Sequence, residues 1–370
     1  MDALILSCGT GGGHDSAGKA ILEELKKRGH HATMLNPYSL VSPKLAQKIN
    51  KTYISMVQHE PKVFGACYKL GNLYRRLPFR SPVYFANHQM NQVMQEYLEN
   101  HSYDIVIMPH LFPAEILTNM KLHGFSVPKT MFVATDYVCI PFTEETLCDA
   151  YVIPAEDLTQ EFVNKGIPRE KIYPLGIPVG SSFSETETKE QARRKLGLEE
   201  DKKYILVAGG SMGGGKIEKV IHRLSKQFEK REEIELIVIC GSNQKLYDRL
   251  MKHFSQGMMV IEYTEQMADY MRACDLFITK PGGLSSTEAA ACPIPILYTA
   301  VIPGCESCNA EYFSEHGMGV LGKSPKELFT KVEELLENEE VRRTMILCQR
   351  NIIHKEAATD ICKLAEQMVH

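Results

Sequence analysis

Residues 3–18 read ALILSCGTGGGHDSAG. The apolar run at residues 3–7 is followed by four glycines, and a helical pattern then opens at about Ser16. A short buried strand, a glycine turn and a helix form the opening of a doubly wound parallel sheet. The same order recurs at residues 204–216, YILVAGGSMGGGK. The sequence therefore predicts two such sheets, one in each half of the chain.

Further apolar runs, separated by helical patterns, extend both sheets. They lie at residues 32–35, 105–108, 130–134 and 151–153 in the first half, and at 236–240, 259–262, 276–279 and 294–298 in the second. This alternation predicts an α/β protein. The Gly-, Pro- and Ser-rich stretch 176–187 indicates a linker. We therefore expect an N-terminal domain over 1–178, a C-terminal domain over 179–340, and helices over 341–370 that pack back on the first domain.

Composition narrows the class of protein. A net charge of -4 over 370 residues gives no general attraction to nucleic acid. The 11 scattered cysteines lack paired metal-binding spacing, which argues against zinc and favours a reducing cytosol. The first apolar run is too short for a signal peptide, and no window approaches the roughly 18 apolar residues of a membrane-spanning helix. We expect a cytoplasmic protein that would lie on a membrane, not in it.

The two glycine turns do not fit the common nucleotide-binding signatures. His14 stands where a dinucleotide-binding fingerprint needs its third glycine. This residue argues against a nicotinamide-dependent dehydrogenase. Near-matches to the phosphate loop at residues 13–19 and 210–216 are followed by Ala20 and Ile217, so the magnesium-binding hydroxyl is missing and an NTPase is disfavoured. His14 itself is either a proton acceptor near neutral pH or a helix-capping or merely exposed histidine.

The most informative segment is KPGGLSSTEAAA at residues 280–291. Its turn N–H groups and Ser285 could bind a phosphate, and Glu288 could accept hydrogen bonds from ribose hydroxyls. Ordinary helix capping would also satisfy these residues. A second polar turn, VIPGCESCNAEY at 301–312, follows the next strand and reaches the same carboxyl edge, where open α/β sheets bind ligands. The pair favours a ligand-binding site at this edge over ordinary helix capping.

Taken together, these motifs resemble those of the diacylglycerol glycosyltransferases, which belong to glycosyltransferase family 28. This family includes plant monogalactosyldiacylglycerol synthase and bacterial processive diacylglycerol glucosyltransferase. Five elements in order carry the resemblance: GTGGGHDSAG at 9–18, TDY at 135–137, GGSMGGG at 209–215, TKPGGLSSTEA at 279–289 and IPGCESCNAEY at 302–312. The resemblance implies the GT-B fold, in which two Rossmann-like domains with parallel sheets face each other across a cleft. It also implies that the N-terminal domain, 1–178, binds the acceptor and faces the membrane, and that the C-terminal domain, 179–340, binds the UDP-sugar.

The resemblance also implies roles for individual residues. His14 would be the catalytic base, assisted by Asp136, and no metal or other cofactor would be required. The substrate-binding residues would be Gly12, Gly13, Ser211, Met212, Gly213, Tyr263, Met267, Gly282, Gly283, Leu284, Ser285, Glu288, Gly304, Cys305, Glu306 and Asn309. This sequence departs from the family pattern at Cys305, where the family has Gln, and at 138–142, where VCIPF lacks the histidine usual after TDY.

Residues 61–85 combine basic and aromatic side chains without an acidic one. The cations are Lys62, Lys69, Arg75, Arg76 and Arg80, among Phe64, Tyr68, Leu73, Tyr74, Leu77, Phe79, Tyr84 and Phe85. This pattern is typical of contact with an anionic membrane surface, or else of a basic helix that packs its aromatic side chains inward. We expect a peripheral protein on the inner face of the cell membrane.

The sequence thus predicts an inverting glycosyltransferase that moves a hexose from a UDP-sugar to a lipid acceptor, diacylglycerol or a glycosylated form of it. Three alternatives stay open: a transferase acting on a polyprenyl or small soluble acceptor, a UDP-sugar epimerase of the same fold, and a non-catalytic UDP-sugar-binding protein. The predicted partners are a UDP-sugar, a lipid acceptor and a membrane, with no nucleic acid.

Overall fold

The computed structural model describes residues 1–9, 12–59, 61–75, 77, 79–210, 217–253, 257–299, 301 and 303–370, with the backbone alone at residues 53, 54, 56–59, 61, 62, 64 and 253. The chain forms two compact units. The first comprises Met1–Gly180, Ile302–Cys305 and His354–His370, and the second Ser181–Val301 and Glu306–Ile353.

A six-stranded parallel sheet forms the centre of the first unit. Its strands are β1 (Asp2–Leu6), β2 (His31–Leu35), β3 (Ile105–Met108), β4 (Lys129–Val133), β5 (Ala150–Val152) and β6 (Ile172–Tyr173), in the order β2-β1-β3-β4-β5-β6. Leu4 and Leu6 pack into one core cluster, whereas Ala3 and Ile5 pack into another. Because successive side chains point to opposite faces, a sheet covered on both sides needs continuous apolar strands, which is what residues 3–6 supply.

Helices surround this sheet. They are α1 (Gly12–Lys27), α2 (Pro43–His59), α3 (Pro61–Tyr74), α4 (Pro82–Asn87), α5 (Asn91–Glu99), α6 (Leu111–Leu122) and α7 (Thr159–Asn164), with short 3-10 turns at Pro37–Leu40, His88–Met90, Thr143–Glu145, Glu156–Leu158 and Arg169–Lys171. The prediction that the first helix opens near Ser16 was wrong, because α1 begins at Gly12. Asp15 lies in its first turn, where the helix dipole favours a negative charge, and accepts a 2.6 Å hydrogen bond from Ser7.

The second unit repeats the architecture, which confirms the predicted α/β class with two parallel sheets. Strands β7 (Lys203–Ala208), β8 (Ile234–Ile239), β9 (Met258–Ile261), β10 (Leu276–Thr279), β11 (Ile296–Tyr298) and β12 (Val320–Leu321) run parallel in the order β12-β11-β10-β7-β8-β9. The helices are α8 (Ser181–Ser184), α9 (Lys189–Leu196), α10 (Ile217–Phe228), α11 (Gln244–His253), α12 (Met267–Ala273), α13 (Gly283–Ala291), α14 (Cys305–Glu315), α15 (Pro325–Glu337) and α16 (Glu339–Ile352).

The C-terminal segment is divided between the units. Helix α16 belongs to the second, and α17 (Ala357–Val369) belongs to the first, where it packs against α1. Glu366 on α17 accepts hydrogen bonds of 2.9 and 2.8 Å from the Arg28 guanidinium, and its carboxylate lies 2.7 Å from Nε2 of His30. These contacts hold the pKa of Glu366 down at about 2, so the carboxylate stays charged across the neutral range.

The strand order places one ligand-binding edge in each sheet. In the first sheet the order reverses between β1 and β3, and in the second between β7 and β10. Open α/β sheets bind ligands outside the carboxyl ends of the strands at such a point. His14 follows β1 and His110 follows β3, while Gly210 follows β7 and Lys280 follows β10. Across the described ranges, no helix is both long and apolar enough to span a bilayer.

Candidate active site

His14 lies in the first turn of α1, and its ring is held by two groups from neighbouring strands. Its Nδ1 is 2.8 Å from the carbonyl oxygen of Pro109 and 2.9 Å from the hydroxyl oxygen of Thr135. Because a carbonyl oxygen can only accept, Nδ1 carries the hydrogen, and the neutral ring keeps its lone pair on Nε2. The Nε2 atom is therefore the one that can take a proton from a substrate.

A second histidine supports the first. The His110 ring lies 4.5 Å from that of His14 in an edge-on arrangement, and its Nδ1 accepts a 3.0 Å hydrogen bond from the N–H of Phe112 as the N-cap of α6. Burial, together with the nearby His14, lowers the pKa of His110 well below the usual histidine value. His110 therefore stays neutral, and the sequence analysis did not identify it.

Asp136 lies beside His14 in the first unit. It lines a small, water-sized cavity together with His14, His110, Thr135 and Thr143. The side chain bonded to Nδ1 of His14 is that of Thr135, the residue before Asp136. Asp136 thus shares the cavity of His14, as expected, and its assistance in proton transfer stays a prediction.

The second candidate site lies at the carboxyl edge of the second sheet. Gly282 is the N-cap of α13, and Gly283, Leu284 and Ser285 form its first turn, where backbone N–H groups lack helical partners. Ser285 and Glu288 are half-buried, one helical turn apart. Burial raises the pKa of Glu288 to about 8, so the carboxyl group is largely protonated at neutral pH when no ligand is bound.

The two polar turns predicted to converge do so. Glu306, in the first turn of α14, accepts a 2.8 Å hydrogen bond from Nζ of Lys280, which directly follows β10. Asn309, fully buried one turn later, donates a 3.1 Å hydrogen bond to the carbonyl oxygen of Pro281. Lys280 was not among the predicted site residues, although its place at the end of the strand next to the reversal could have indicated it.

The remaining predicted residues have these positions. Gly12 and Gly13 are the first two residues of α1. Tyr263 follows β9 and is exposed, and Met267 begins α12. Gly304 has a φ of 129°, a conformation that favours glycine, and Cys305 begins α14. The predicted residues Ser211, Met212 and Gly213 lie outside the described residues.

In the described part of the chain, no group of three or more His, Cys, Asp or Glu side chains is arranged to hold a metal ion.

The segment 61–85 is less basic at its surface than its composition indicates. Arg75 forms a salt bridge with Glu144 at 2.5 Å, and only 6% of its side chain is exposed. Arg80 donates to the carbonyl oxygen of Glu145 and lies over the Tyr84 ring. Besides the exposed Lys69, six large apolar side chains of the segment are exposed: Val63, Leu70, Leu73, Leu77, Phe79 and Phe85. We call these six residues the apolar patch. Arg76 and the side chains of Lys62 and Phe64 lie outside the described residues.

Comparisons with known proteins agree with this geometry. Residues 14–179 match the family model of monogalactosyldiacylglycerol (MGDG) synthase, and residues 188–350 match that of glycosyl transferases group 1. The processive diacylglycerol beta-glucosyltransferase of Bacillus pumilus (strain SAFR-032) is 26% identical over 348 residues, covering 92% of this chain and 88% of that protein.

Two solved structures share the fold. Acinetobacter baumannii MurG superimposes with a TM-score of 0.64 at 14% identity, covering 99% of both chains. The Neisseria meningitidis UDP-GlcNAc 2-epimerase bound to UDP-GlcNAc gives a TM-score of 0.59 at 14% identity, covering 99% of this chain and 100% of that one. The fold is thus GT-B, as predicted. With both halves matched and the motifs in order, the chain belongs to the family of monogalactosyldiacylglycerol synthases and processive diacylglycerol glucosyltransferases and is a glycosyltransferase.

Proposed function

We propose that this protein transfers a hexose, with inversion, from a UDP-sugar to a hydroxyl group of diacylglycerol or of a glycosylated diacylglycerol. The observation that carries the proposal is the hydrogen-bonded His14, whose tautomer is fixed by Pro109. The name of the Bacillus pumilus relative supports the lipid acceptor, and the UDP-GlcNAc bound to the Neisseria meningitidis enzyme supports a UDP-linked donor.

In the proposed reaction, Nε2 of His14 takes the proton of the acceptor hydroxyl as its oxygen attacks the anomeric carbon. The bond from that carbon to the diphosphate oxygen breaks, and UDP leaves with the electron pair. Pro109 and Thr135 keep the imidazole oriented through Nδ1. Attack from the face opposite UDP inverts the anomeric configuration. Asp136 would help to stabilise the imidazolium formed at His14.

The donor would bind at the carboxyl edge of the second sheet. The first-turn N–H groups of α13 and the Ser285 hydroxyl would hold the diphosphate, and Glu288 would accept hydrogen bonds from ribose. Tyr263 and Met267 would lie at the uracil, and Asn309, which is buried, would hold the Pro281 turn beside the sugar. Helix N-termini and turn amides would then stabilise the departing charge, and we propose that no metal ion takes part.

We further propose that the protein binds the inner face of the cell membrane peripherally through residues 61–85. The apolar patch supplies side chains that gain free energy by leaving water, about 25 cal/mol for each Å² of apolar surface that is buried. Arg75 and Arg80 already bond to the 144–145 turn. Lys69 is exposed and can still attract anionic headgroups.

Product analysis tests the reaction. The protein is incubated with radiolabelled UDP-glucose, UDP-galactose or UDP-N-acetylglucosamine, with and without diacylglycerol vesicles, and the lipids are separated. We expect labelled glycolipid only with vesicles. Transfer of the radiolabel to a soluble or polyprenyl acceptor would contradict the assignment of diacylglycerol as the acceptor. Conversion of the nucleotide sugar in the absence of any acceptor would identify an epimerase. Donor binding without any product would identify a non-catalytic protein.

A variant tests the base. His14→Ala should lower kcat by about 10²- to 10⁴-fold, the usual contribution of a positioned general base, and leave the Kd for UDP within about twofold. The matched control is His31→Ala, because His31 is exposed at the start of β2 and far along the chain from the His14 contacts. A fully active His14→Ala enzyme would remove the proposed role.

Vesicle flotation tests the membrane surface. Leu70→Ser combined with Leu73→Ser should abolish flotation with neutral and anionic vesicles, since both side chains are more than half exposed and apolar. Lys69→Gln should reduce only the preference for anionic vesicles. Unchanged flotation of the double variant would contradict the apolar contact, and unchanged lipid preference of Lys69→Gln would contradict the electrostatic part.

A further inference from the structure

The donor edge of the second sheet contains a cation with an unusual position. Lys280 directly follows β10, which pairs with β7 so that Thr279 lies opposite Ala208. The lysine therefore leaves the sheet beside the glycine turn that follows β7, at the point where the strand order reverses. This is the position at which a doubly wound sheet receives the charged part of a nucleotide.

The glycine turn makes room for this lysine. A Cβ atom placed on Gly210 would lie 3.1 Å from Cε of Lys280, and Gly210 has a φ of 78°. A residue with a side chain would be strained at that φ and would also push the lysine stem aside. The lysine stem thus crosses close to the backbone of one turn and precedes the helix-opening turn of α13.

The partner of Lys280 is a carboxylate at the same edge of the second sheet. Nζ lies 2.8 Å from Oε1 of Glu306, and 26% of the lysine side chain and 14% of the glutamate side chain are exposed. The neighbouring helix α13 presents first-turn N–H groups and no acidic side chain in that turn. A turn that offers backbone N–H groups to negative charge therefore lies beside the negative side chain of Glu306, which is paired with the cation.

We propose that Lys280 binds the diphosphate of the donor and that Glu306 is its counter-ion only until the donor arrives. This inference rests on the proposed function. The diphosphate carries more negative charge than one carboxylate and is held by the backbone N–H groups beside Lys280. The ammonium group exchanges Glu306 for a phosphate oxygen, and the released carboxylate turns to the sugar hydroxyls. Lys280 then stabilises the charge that develops on departing UDP.

Calorimetric titration of the full chain with two probes, UDP and uridine, tests this exchange. Lys280→Met should weaken UDP binding by about 10- to 100-fold, the value of a charge-assisted hydrogen bond, and leave uridine binding within about twofold. Lys280→Arg, which keeps the charge, should retain most of the UDP affinity. Equal losses for UDP and uridine would overturn the proposal, because they would indicate a structural role for the lysine.

Glu306→Gln supplies the sharper test, since the expected change has the opposite sign. Removing the competing carboxylate should strengthen UDP binding by about three- to tenfold while lowering turnover. Unchanged or weaker UDP binding would overturn the exchange. This arm remains decisive if Lys280→Met does not fold, which thermal unfolding will show.

The control is Lys202→Met. Lys202 forms ion pairs with Glu199 and Glu235 but precedes β7, at the opposite edge of the same sheet. The Lys202→Met variant should leave the affinities for UDP and for uridine unchanged. A loss of UDP affinity as large as that of Lys280→Met would overturn the proposal. If the wild-type chain binds neither probe, the proposed function fails as well. If the wild type binds UDP and Lys280→Met binds it equally well, only the present inference fails.

Discussion

The affinity for the donor should rise with pH, because the proposed ribose ligand is protonated when the site is empty. Burial raises the pKa of Glu288 to about 8. Ribose hydroxyls donate hydrogen bonds, so a carboxylate accepts them better than a carboxylic acid, which must keep its own hydrogen. Binding therefore requires loss of a proton from Glu288, and that loss becomes easier as the pH approaches 8.

The size of the effect follows from the pKa. If only the ionised form binds, the apparent Kd contains the factor 1 + 10^(pKa − pH), which is about 33 at pH 6.5 and about 1.3 at pH 8.5. The affinity for UDP-glucose should thus increase by about 25-fold over this interval, or about 2 kcal/mol. UDP-glucose is preferred to UDP as the probe because a terminal phosphate ionises at a pKa of about 6 and would add its own pH dependence.

The assay is calorimetric titration of the wild type and of Glu288→Gln with UDP-glucose at pH 6.5, 7.5 and 8.5. The amide cannot ionise, so the variant should bind with a nearly constant Kd, weaker than that of the wild type at pH 8.5. Every other group of the chain is the same in both proteins, so its contribution cancels in the difference between the two curves. Parallel curves for the two proteins would refute the ribose assignment, and an affinity that falls with pH would show that a protonated Glu288 donates to the ligand.

Three further predictions concern the first unit. Thr135→Val should lower kcat by about tenfold and shift the acidic limb of the kcat–pH profile, because it removes one group that orients His14; an unchanged profile would limit Thr135 to packing. Glu115 is fully buried beside Glu145, and burial with that contact raises its pKa to about 10. Because the unfolded chain releases this proton near pH 4.5, the free energy of unfolding of the wild type should fall as the pH rises from 4.5 to 10. Urea unfolding of Glu115→Gln should show about 1–3 kcal/mol less of this loss. Identical pH profiles for the two proteins would contradict a protonated Glu115. Glu366→Gln should reduce stability by about 1 kcal/mol at pH 7, because the two bonds from Arg28 weaken; since the pKa of Glu366 is depressed, the difference should vanish as pH falls from about 4.5 through 2, and its persistence in acid would exclude the ion pair.

The fold could be predicted because the strands carry their own signal. Residues 3–6 and 204–208 are buried on both faces of their sheets, so they read as continuous apolar runs, and glycines follow each. The start of α1 could not be placed, because Gly12 and Gly13 have low helix propensity and the pattern of side chains becomes helical only after them. Tertiary contacts, such as that of His14 with Pro109, decide where such a helix begins.

The candidate site was predicted in part, and the omissions have two causes. The motifs contained Thr135 and Lys280, but sequence order does not show which of two adjacent side chains faces the ligand. Thr135 and Asp136 both line the cavity of His14, and only the folded chain shows that the Thr135 hydroxyl is the group bonded to its ring. His110 has no motif of its own, since it becomes important only because β3 lies next to β1 in the sheet.

The arginines of segment 61–85 illustrate the limit of reasoning from composition. Arg75 and Arg80 were counted as surface charges, yet their partners Glu144 and Glu145 lie more than 60 residues further along the chain. The pairing also has a consequence for function. The turn that contains these glutamates includes Phe142, which has a φ of 76° and packs edge-on against Tyr74 of α3.

The 138–146 turn therefore has two neighbours within the first unit. One side contacts α3 and the chain after it, through Arg75, Arg80 and the 2.9 Å hydrogen bond from the Ser81 N–H to Glu145. The other side, including Thr143, lines the cavity of His14. A positive φ at Phe142 costs free energy and is kept only where surrounding contacts fix it. The same contacts thus set both the position of the apolar patch and the wall of the cavity. The 138–146 turn therefore supports both the surface that we propose to contact lipid and the cavity of the proposed base, His14.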